Sequence, residues 1–259
     1  MRQYKISFAG AGNVAGALCS ELHKKNNIIE HIVTKSEKSG RALAKACNAT
    51  WSHDFIFPHT SEIIILAVPD NSLSSVLGEI SCNETAVIVH TAGSVGLDIF
   101  PPYFKYFGVL YPLQTFSPGR KPDLSSVPFF IEASDENTLD KLKNLAGSIS
   151  NSVNLTDSEH RRLLHLAAVF ICNFTNHMLT TGKDISGMAG FPFEVLEPLI
   201  LETVNKAIEL GPENSQTGPA IRHDLNTIKK HLDLLSFSPD LKNIYDLISK
   251  SIMDYHKKN

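Results

Sequence analysis

Hydrophobic positions along the chain follow two different rhythms, and the change falls near residue 155. Before it, short apolar runs alternate with helical stripes. Lys5 to Gly10 (KISFAG) predicts a buried strand ending in glycine, and Val14, Leu18 and Leu22 recur every four residues as the stripe of a helix. Ile29 to Thr34 predicts a second strand. Ile63 to Val68 (IIILAV) is apolar throughout, as expected of a strand covered by helices on both faces. Ala86 to His90, Tyr106 to Leu110 and Pro128 to Glu132 predict three more. Strand and helix in alternation predict an α/β domain with a parallel sheet of right-handed crossovers.

After residue 155 the pattern is helical throughout. Thr156 and Glu159 have capping-box spacing, with Asp157 adding negative charge to the first turn of a long helix that runs to about Thr181. Pro192 suits the first position of a second helix and Gly211-Pro212 its end, with Pro198 expected to kink it. Asp224 is placed to cap a third helix through Leu235. Ser238-Pro239-Asp240 opens a last one, striped by Leu241, Ile244, Leu247, Ile248 and Ile252. Two domains follow, 1–152 and an all-helical 153–259, with the active crevice expected between them.

Composition narrows the function. With 42% hydrophobic and 20% charged residues, the chain supports a packed core. A net charge of −3 argues against a protein that works by neutralising nucleic-acid phosphates. Cys19, Cys47, Cys82 and Cys172 are scattered, without metal-ligand spacing or a disulfide framework, and no metal is expected. The longest apolar run, Leu163 to Cys172, is about half the ~20 residues a membrane span needs. Residues Met1 to Lys5 lead straight into a strand. These features predict a soluble cytoplasmic protein that engages neither membrane nor nucleic acid.

The sharpest chemical signal lies at the first strand–helix turn. Gly10-Ala11-Gly12-Asn13-Val14-Ala15 fits G-x-G-x-x-A, following a strand and opening a helix at the start of a βαβ unit. The first glycine permits the turn, the second admits a diphosphate to the backbone, and the small third residue lets helix and strand pack closely. The helix N-terminus supplies amides and a positive dipole end. This is the fingerprint of a Rossmann dinucleotide-binding domain. At the end of the second strand, Thr34, Lys35 and Ser36 occupy the place where an acid usually holds the ribose of NAD. Hydroxyls and a cation there favour NADP, and the missing acid also weakens an S-adenosylmethionine site, although Glu37 lies close by. Ala67, Val68 and Pro69 end the IIILAV strand and are expected to flank the cofactor.

Two later strand ends open onto the same crevice. In His90-Thr91-Ala92-Gly93-Ser94, the Ala92-Gly93 pair is expected beside the nicotinamide and His90 is a candidate catalytic residue. In Tyr111-Pro112-Leu113-Gln114-Thr115-Phe116, Gln114 and Thr115 are candidates to face substrate. The long helix is apolar nearly all round, so it is expected to be buried, in the domain or in a homodimer. Within it His165 is the first candidate to pass a proton, because histidine titrates near neutrality. Asn173 is a further catalytic candidate and neighbours His177 at i, i+4. Asn176, eleven residues after His165, shares its face and is a substrate candidate. Arg222, after the Gly218-Pro219 turn, is suited to clamp a carboxylate or to cross to another subunit.

These residues resemble the superfamily of pyrroline-5-carboxylate reductase, prephenate dehydrogenase and the β-hydroxyacid dehydrogenases, in which a Rossmann domain precedes a helical dimerisation domain. The closer resemblance is to a bacterial NADP oxidoreductase family with a Rossmann-like domain joined to a helical domain of unknown function. Its marks are GAGNVA (10–15), AVPD (67–70), HTAGS (90–94), YPLQTF (111–116) and TGPAIRHD (217–224), and they cover nearly the whole chain. Relatives carry histidine where this chain has Tyr111 and glycine where it has His223, so the resemblance does not extend to an acid–base role at residue 111. The first domain is also similar to the deazaflavin-dependent NADP reductases, but the helical half gives no reason to expect a deazaflavin. The resemblance implies an NADP-binding oxidoreductase, from a family with no firm substrate; the reading of the whole chain is an NADP(H)-dependent oxidoreductase acting on a small ketone, imine or hydroxy acid. The lysine that the β-hydroxyacid dehydrogenases carry on the long helix is missing near Asn173, which leaves a non-catalytic NADP(H) sensor as the alternative.

Overall fold

The computed structural model describes residues 2–120 and 122–258. Eight strands form one sheet: β1 (Lys5–Ala9), β2 (Ile28–Val33), β3 (Thr50–Ser52), β4 (Ile63–Leu66), β5 (Val87–His90), β6 (Phe107–Pro112), β7 (Phe129–Ala133) and β8 (Val153–Leu155). Their order is β3-β2-β1-β4-β5-β6-β7-β8. The chain winds outward from β1 in one direction and then from β4 in the other, which creates a switch point between these two neighbours. Four helices accompany the sheet: α1 (Asn13–Lys24), α2 (Glu37–Ala46), α3 (Leu73–Glu79) and α4 (Glu136–Gly147).

Strand β4 explains why the sheet is covered on both sides. Ile63 and Ile65 pack with Leu18 and Leu22 of α1, while Ile64 and Leu66 pack with Leu73, Val76 and Leu77 of α3. All four strand residues are fully buried. Each such side chain stabilises the fold by roughly 1.5–3 kcal/mol.

The sheet departs from the sequence expectation in two ways. Strands β6 and β7 are antiparallel, Gly108 facing Ala133 and Pro112 facing Phe129. Among the described residues the connection 113–128 holds only one 3-10 turn, Leu124–Ser126, and so lacks the helix of a parallel crossover. The three-residue strands β3 and β8 carry no apolar run and were invisible to the pattern.

Helix α5 (Ser158–Met188) is 31 residues long. Its cap is Asp157, whose carboxylate accepts the His160 N–H at 2.8 Å, one residue later than the Thr156 capping box predicted. Between Val169 and Phe174 it winds as π-helix. By length and composition α5 is apolar enough to cross a membrane. Counting unbroken runs missed this, because an average along a helix tolerates isolated polar residues such as His165.

Beyond it lie α6 (Glu197–Leu210), α7 (Leu225–Leu234) and α8 (Pro239–Lys258). Pro198 sits in the first turn of α6, where a missing N–H costs nothing, so it does not produce the kink expected of it. Gly211, at φ 86°, ends that helix. Asp224 caps α7 as predicted, accepting the Thr227 N–H at 3.0 Å.

The chain forms two compact units, Met1–His177 and Met178–Asn259. The sheet ends at Leu155, and the first unit continues along α5 to His177.

Candidate functional site

The β1–α1 turn is built to approach something closely. Gly10 adopts φ 106°, and a Cβ there would stand 2.3 Å from the Ala67 carbonyl oxygen. Only glycine tolerates both conditions. Its N–H donates to the Val33 carbonyl at 2.8 Å, which joins the ends of β1 and β2. Gly12 precedes α1 without any side-chain cap, so the first amides of the helix are left for a ligand.

A cleft of about 490 Å³ extends from this turn. Of the residues named from sequence, Gly10, Gly12, Thr34, Lys35, Ala67, Val68 and Pro69 line it. The structure adds Ser39, Asn71, Ser72 and Ser75. Asn71 and Ser72 follow directly after Asp70 and Ser75 comes three residues later, so the polar stretch behind AVPD was the available signal. Ala15 is fully buried under the turn, and Val14 packs against the same core. The Asn13 side-chain amide donates to the Phe116 carbonyl at 3.0 Å and ties the turn to the segment after β6. Ser36 is the residue before α2, and its N–H bonds the Thr34 hydroxyl.

The end of the cleft beside β2 has a cation and hydroxyls but no acid among its lining residues. Lys35, Thr34 and Ser39 line it, whereas Glu37 turns to Arg41, 2.8 Å away. Arg41 in turn lies over the Trp51 ring at 4.6 Å. This arrangement, with bare amides at α1 and no room for a Cβ at Gly10, fits a phosphorylated dinucleotide.

A second pocket, of about 360 Å³, forms at the end of β6 and along α5. It brings together Gln114, Thr115, His165 and Asn173 from the sequence candidates and adds Tyr111 and Cys172. The Tyr111 Oη and His165 Nδ1 are hydrogen-bonded at 3.1 Å, with their rings edge to face at 5.9 Å. Gly93 lies against both. A Cβ at this position would stand 2.7 Å from the His165 Nδ1 and 2.7 Å from the Tyr111 Cζ. Burial, reinforced by the Asp70 carboxylate, pushes the Tyr111 hydroxyl above its ordinary pKa, against a smaller opposing pull from Arg161.

The π-turn corrects the face assignment on α5. Its wider winding shifts the register after Val169, so Asn173 joins His165 in lining the pocket and Asn176 does not. Arg222 is exposed and belongs to the second unit, beside the α7 cap.

His90 is not a surface group of this site. It is fully buried, its ring stacks on Phe100 at 5.6 Å, and its Nδ1 accepts the Ala92 N–H at 3.2 Å. Nδ1 as acceptor leaves the proton on Nε2, which has no hydrogen-bond partner among the described residues. Burial, then the Arg161 charge, pushes its pKa down to about 4, against weaker pulls from the Gly96 carbonyl and Asp70. A neutral, enclosed imidazole shapes the 90–93 turn and keeps Ala92, itself buried, in place. It is too enclosed for the catalytic role expected of it.

Arg161 went unnoticed in the sequence. Its side chain is fully buried at the start of α5. It donates to the Glu132 carboxylate and to the Val95 carbonyl, the latter at 2.5 Å. Ser158 also donates to Glu132, at 2.9 Å, and accepts the Leu97 N–H at 3.1 Å. The cluster fixes the first turn of α5, and hence His165 one turn on, to β7 and to the loop after Gly93. Ser94 and Asp70 bridge the two loops in front, the serine hydroxyl donating to the carboxylate. Among the described residues, no group of three or more His, Cys, Asp or Glu side chains is arranged to hold a metal ion.

Residues 5–93 match the family described as NADP oxidoreductase, coenzyme F420-dependent. Residues 127–252 match a domain of unknown function, DUF2520. A Bacteroides fragilis protein designated an NADP oxidoreductase is 39% identical, with 97% of this chain and 98% of that chain covered and a TM-score of 0.89. The Thermotoga maritima protein TM1727 is 22% identical over 97% and 99% of the two chains, at TM-score 0.79. A reductive aminase from Aspergillus terreus, solved with NADPH and ethyl-5-oxohexanoate, shares the fold at 14% identity, 98% and 99% coverage and TM-score 0.70. No curated protein matches the chain.

Proposed function

The chain belongs to the NADP oxidoreductase family represented by the Bacteroides fragilis protein, and from that premise we propose that it reduces a small ketone or imine with NADPH, or runs the reverse reaction on the corresponding alcohol, hydroxy acid or amine. The amides of α1 and the turn Gly10–Gly12 would hold the diphosphate. Lys35, with the hydroxyls of Thr34 and Ser39, would hold the 2′-phosphate and set the preference for NADP over NAD. When bound, the coenzyme supplies or accepts a hydride at the nicotinamide.

The observation that carries the reading is the Tyr111–His165 pair seated on Gly93. With Nδ1 protonated, His165 donates to the Tyr111 Oη and leaves the phenol proton for the substrate oxygen or nitrogen. That phenol is protonated at neutral pH on its ordinary pKa, and burial raises it further. As Tyr111 gives up its proton, His165 replaces it, so the proton reaching substrate is renewed from the solvent side of α5. Asn173, Gln114 and Thr115 supply amide and hydroxyl groups to orient the substrate. Closure by a second copy over the apolar surface of the helical half, and a cytoplasmic location, complete the reading.

NADPH oxidation against a panel of ketones, imines and keto acids tests it. His165→Ala should lower turnover roughly 10²–10⁴-fold while NADPH affinity holds. Tight NADPH binding with no turnover on any substrate would turn the reading toward a redox sensor.

A further inference from the structure

Two thiols that hydride transfer does not use lie behind the coenzyme cleft. Cys19 is on α1 and Cys47 is the residue that closes α2. Both side chains are buried, and their sulfurs are 3.0 Å apart. That is about 1 Å beyond the ~2.05 Å length of a disulfide bond. The two helices serve opposite ends of the cleft, since α1 begins at the diphosphate turn and α2 begins just after Lys35.

We infer that Cys19 and Cys47 are a modification site, a dithiol that peroxide converts into a disulfide joining α1 to α2. The partners are already matched in space, so the bond forms within the folded chain. The hydrogen bond from the Cys19 thiol holds Cys47 below its ordinary pKa, while the same contact pushes Cys19 up. Cys47 is therefore the attacking sulfur and Cys19 the resolving one. The Cys47 sulfur attacks one peroxide oxygen, the O–O bond breaks and water leaves, which gives a sulfenic acid. The Cys19 sulfur then displaces the sulfenic oxygen, which departs with its proton and that of Cys19 as a second water. Two thiols lose two electrons and peroxide gains them. Burial admits a small oxidant in preference to a bulky disulfide, and Cys47 sits at a helix end where local opening is easiest.

Full-length protein, reduced and then treated with hydrogen peroxide, tests the inference by alkylation under unfolding conditions and peptide mass mapping. Two of the four thiols should become unreactive. A peptide linking Cys19 to Cys47, lighter by two hydrogens than its separate parts, should appear and should vanish on reduction or in Cys47→Ser. Peroxide that oxidises Cys172 yet leaves Cys19 and Cys47 open to alkylation would overturn it. So would oxidation of either residue to sulfinic acid without the linked peptide.

Discussion

Strand β4 and helix α6 are both strongly apolar, yet the chain treats them oppositely. Every residue of β4 is fully buried between α1 and α3. Helix α6 leaves Leu199, Leu201 and Val204 open and Ile208 80% exposed, and α5 leaves Ile171 76% exposed. A parallel strand offers two faces, and one chain supplies helices for both. A helix with apolar residues around most of its circumference cannot be covered by its own few neighbours. The sheet half is closed by its own residues, whereas the helical half leaves large apolar side chains open along α5 and α6. That contrast supports a second copy as the cover.

The largest effect should come from breaking the anchor between the sheet and α5. Arg161→Met takes the cation from the half-buried Glu132 carboxylate and leaves Ser158 as its remaining donor, and urea unfolding should show a loss of about 3–5 kcal/mol. A loss below 1 kcal/mol would mean that α5 is held by apolar packing alone.

A smaller effect separates the closed half by pH. The pKa of His90 is depressed to about 4 in the folded chain, against an ordinary 6.5. Its contribution is therefore fully present above pH 6.5 and is lost as pH falls toward 4, where the unfolded chain takes up a proton that the folded one refuses. The loss amounts to about 3 kcal/mol. His90→Gln should flatten the difference between urea melts at pH 7 and pH 4.5, and an unchanged difference would place the acid sensitivity elsewhere.

The smallest effect on the fold itself should fall on the open half. Ile208→Asp on a truly exposed position changes monomer stability by no more than about 0.5 kcal/mol. In gel filtration the same change should convert a species near twice 28.5 kDa into one near 28.5 kDa. A wild type that already runs as a monomer removes the dimer from the account.

What could be seen in the sequence divides along the same line. The strands of the closed half were legible because local pattern and tertiary burial agree there: IIILAV is apolar throughout, and its strand residues Ile63–Leu66 are fully buried. The β1–α1 turn was legible because Gly10 answers a local backbone demand, a positive φ with no room for a Cβ. The reversal at β7 was not, since it depends on the absence of a helix among the described residues of 113–128. Asn176 was placed with His165 by straight α-helical counting, and the π-turn at Val169–Phe174, which no residue type announces, moved Asn173 there instead. Tyr111 was set aside because relatives often carry histidine there, and the sequence did not show that its hydroxyl meets the His165 imidazole at 3.1 Å. His90 drew notice as a histidine at a strand end, and only its burial revealed it as structural.

Calorimetric titration of the full chain with NADPH and NADH tests the central claim most directly. Bare amides at α1 with Lys35 at the ribose end predict micromolar or tighter binding of NADPH. NADH should bind at least about tenfold more weakly, the ~1.5 kcal/mol of one charge-assisted hydrogen bond. Heat from neither coenzyme at millimolar concentration would contradict the account.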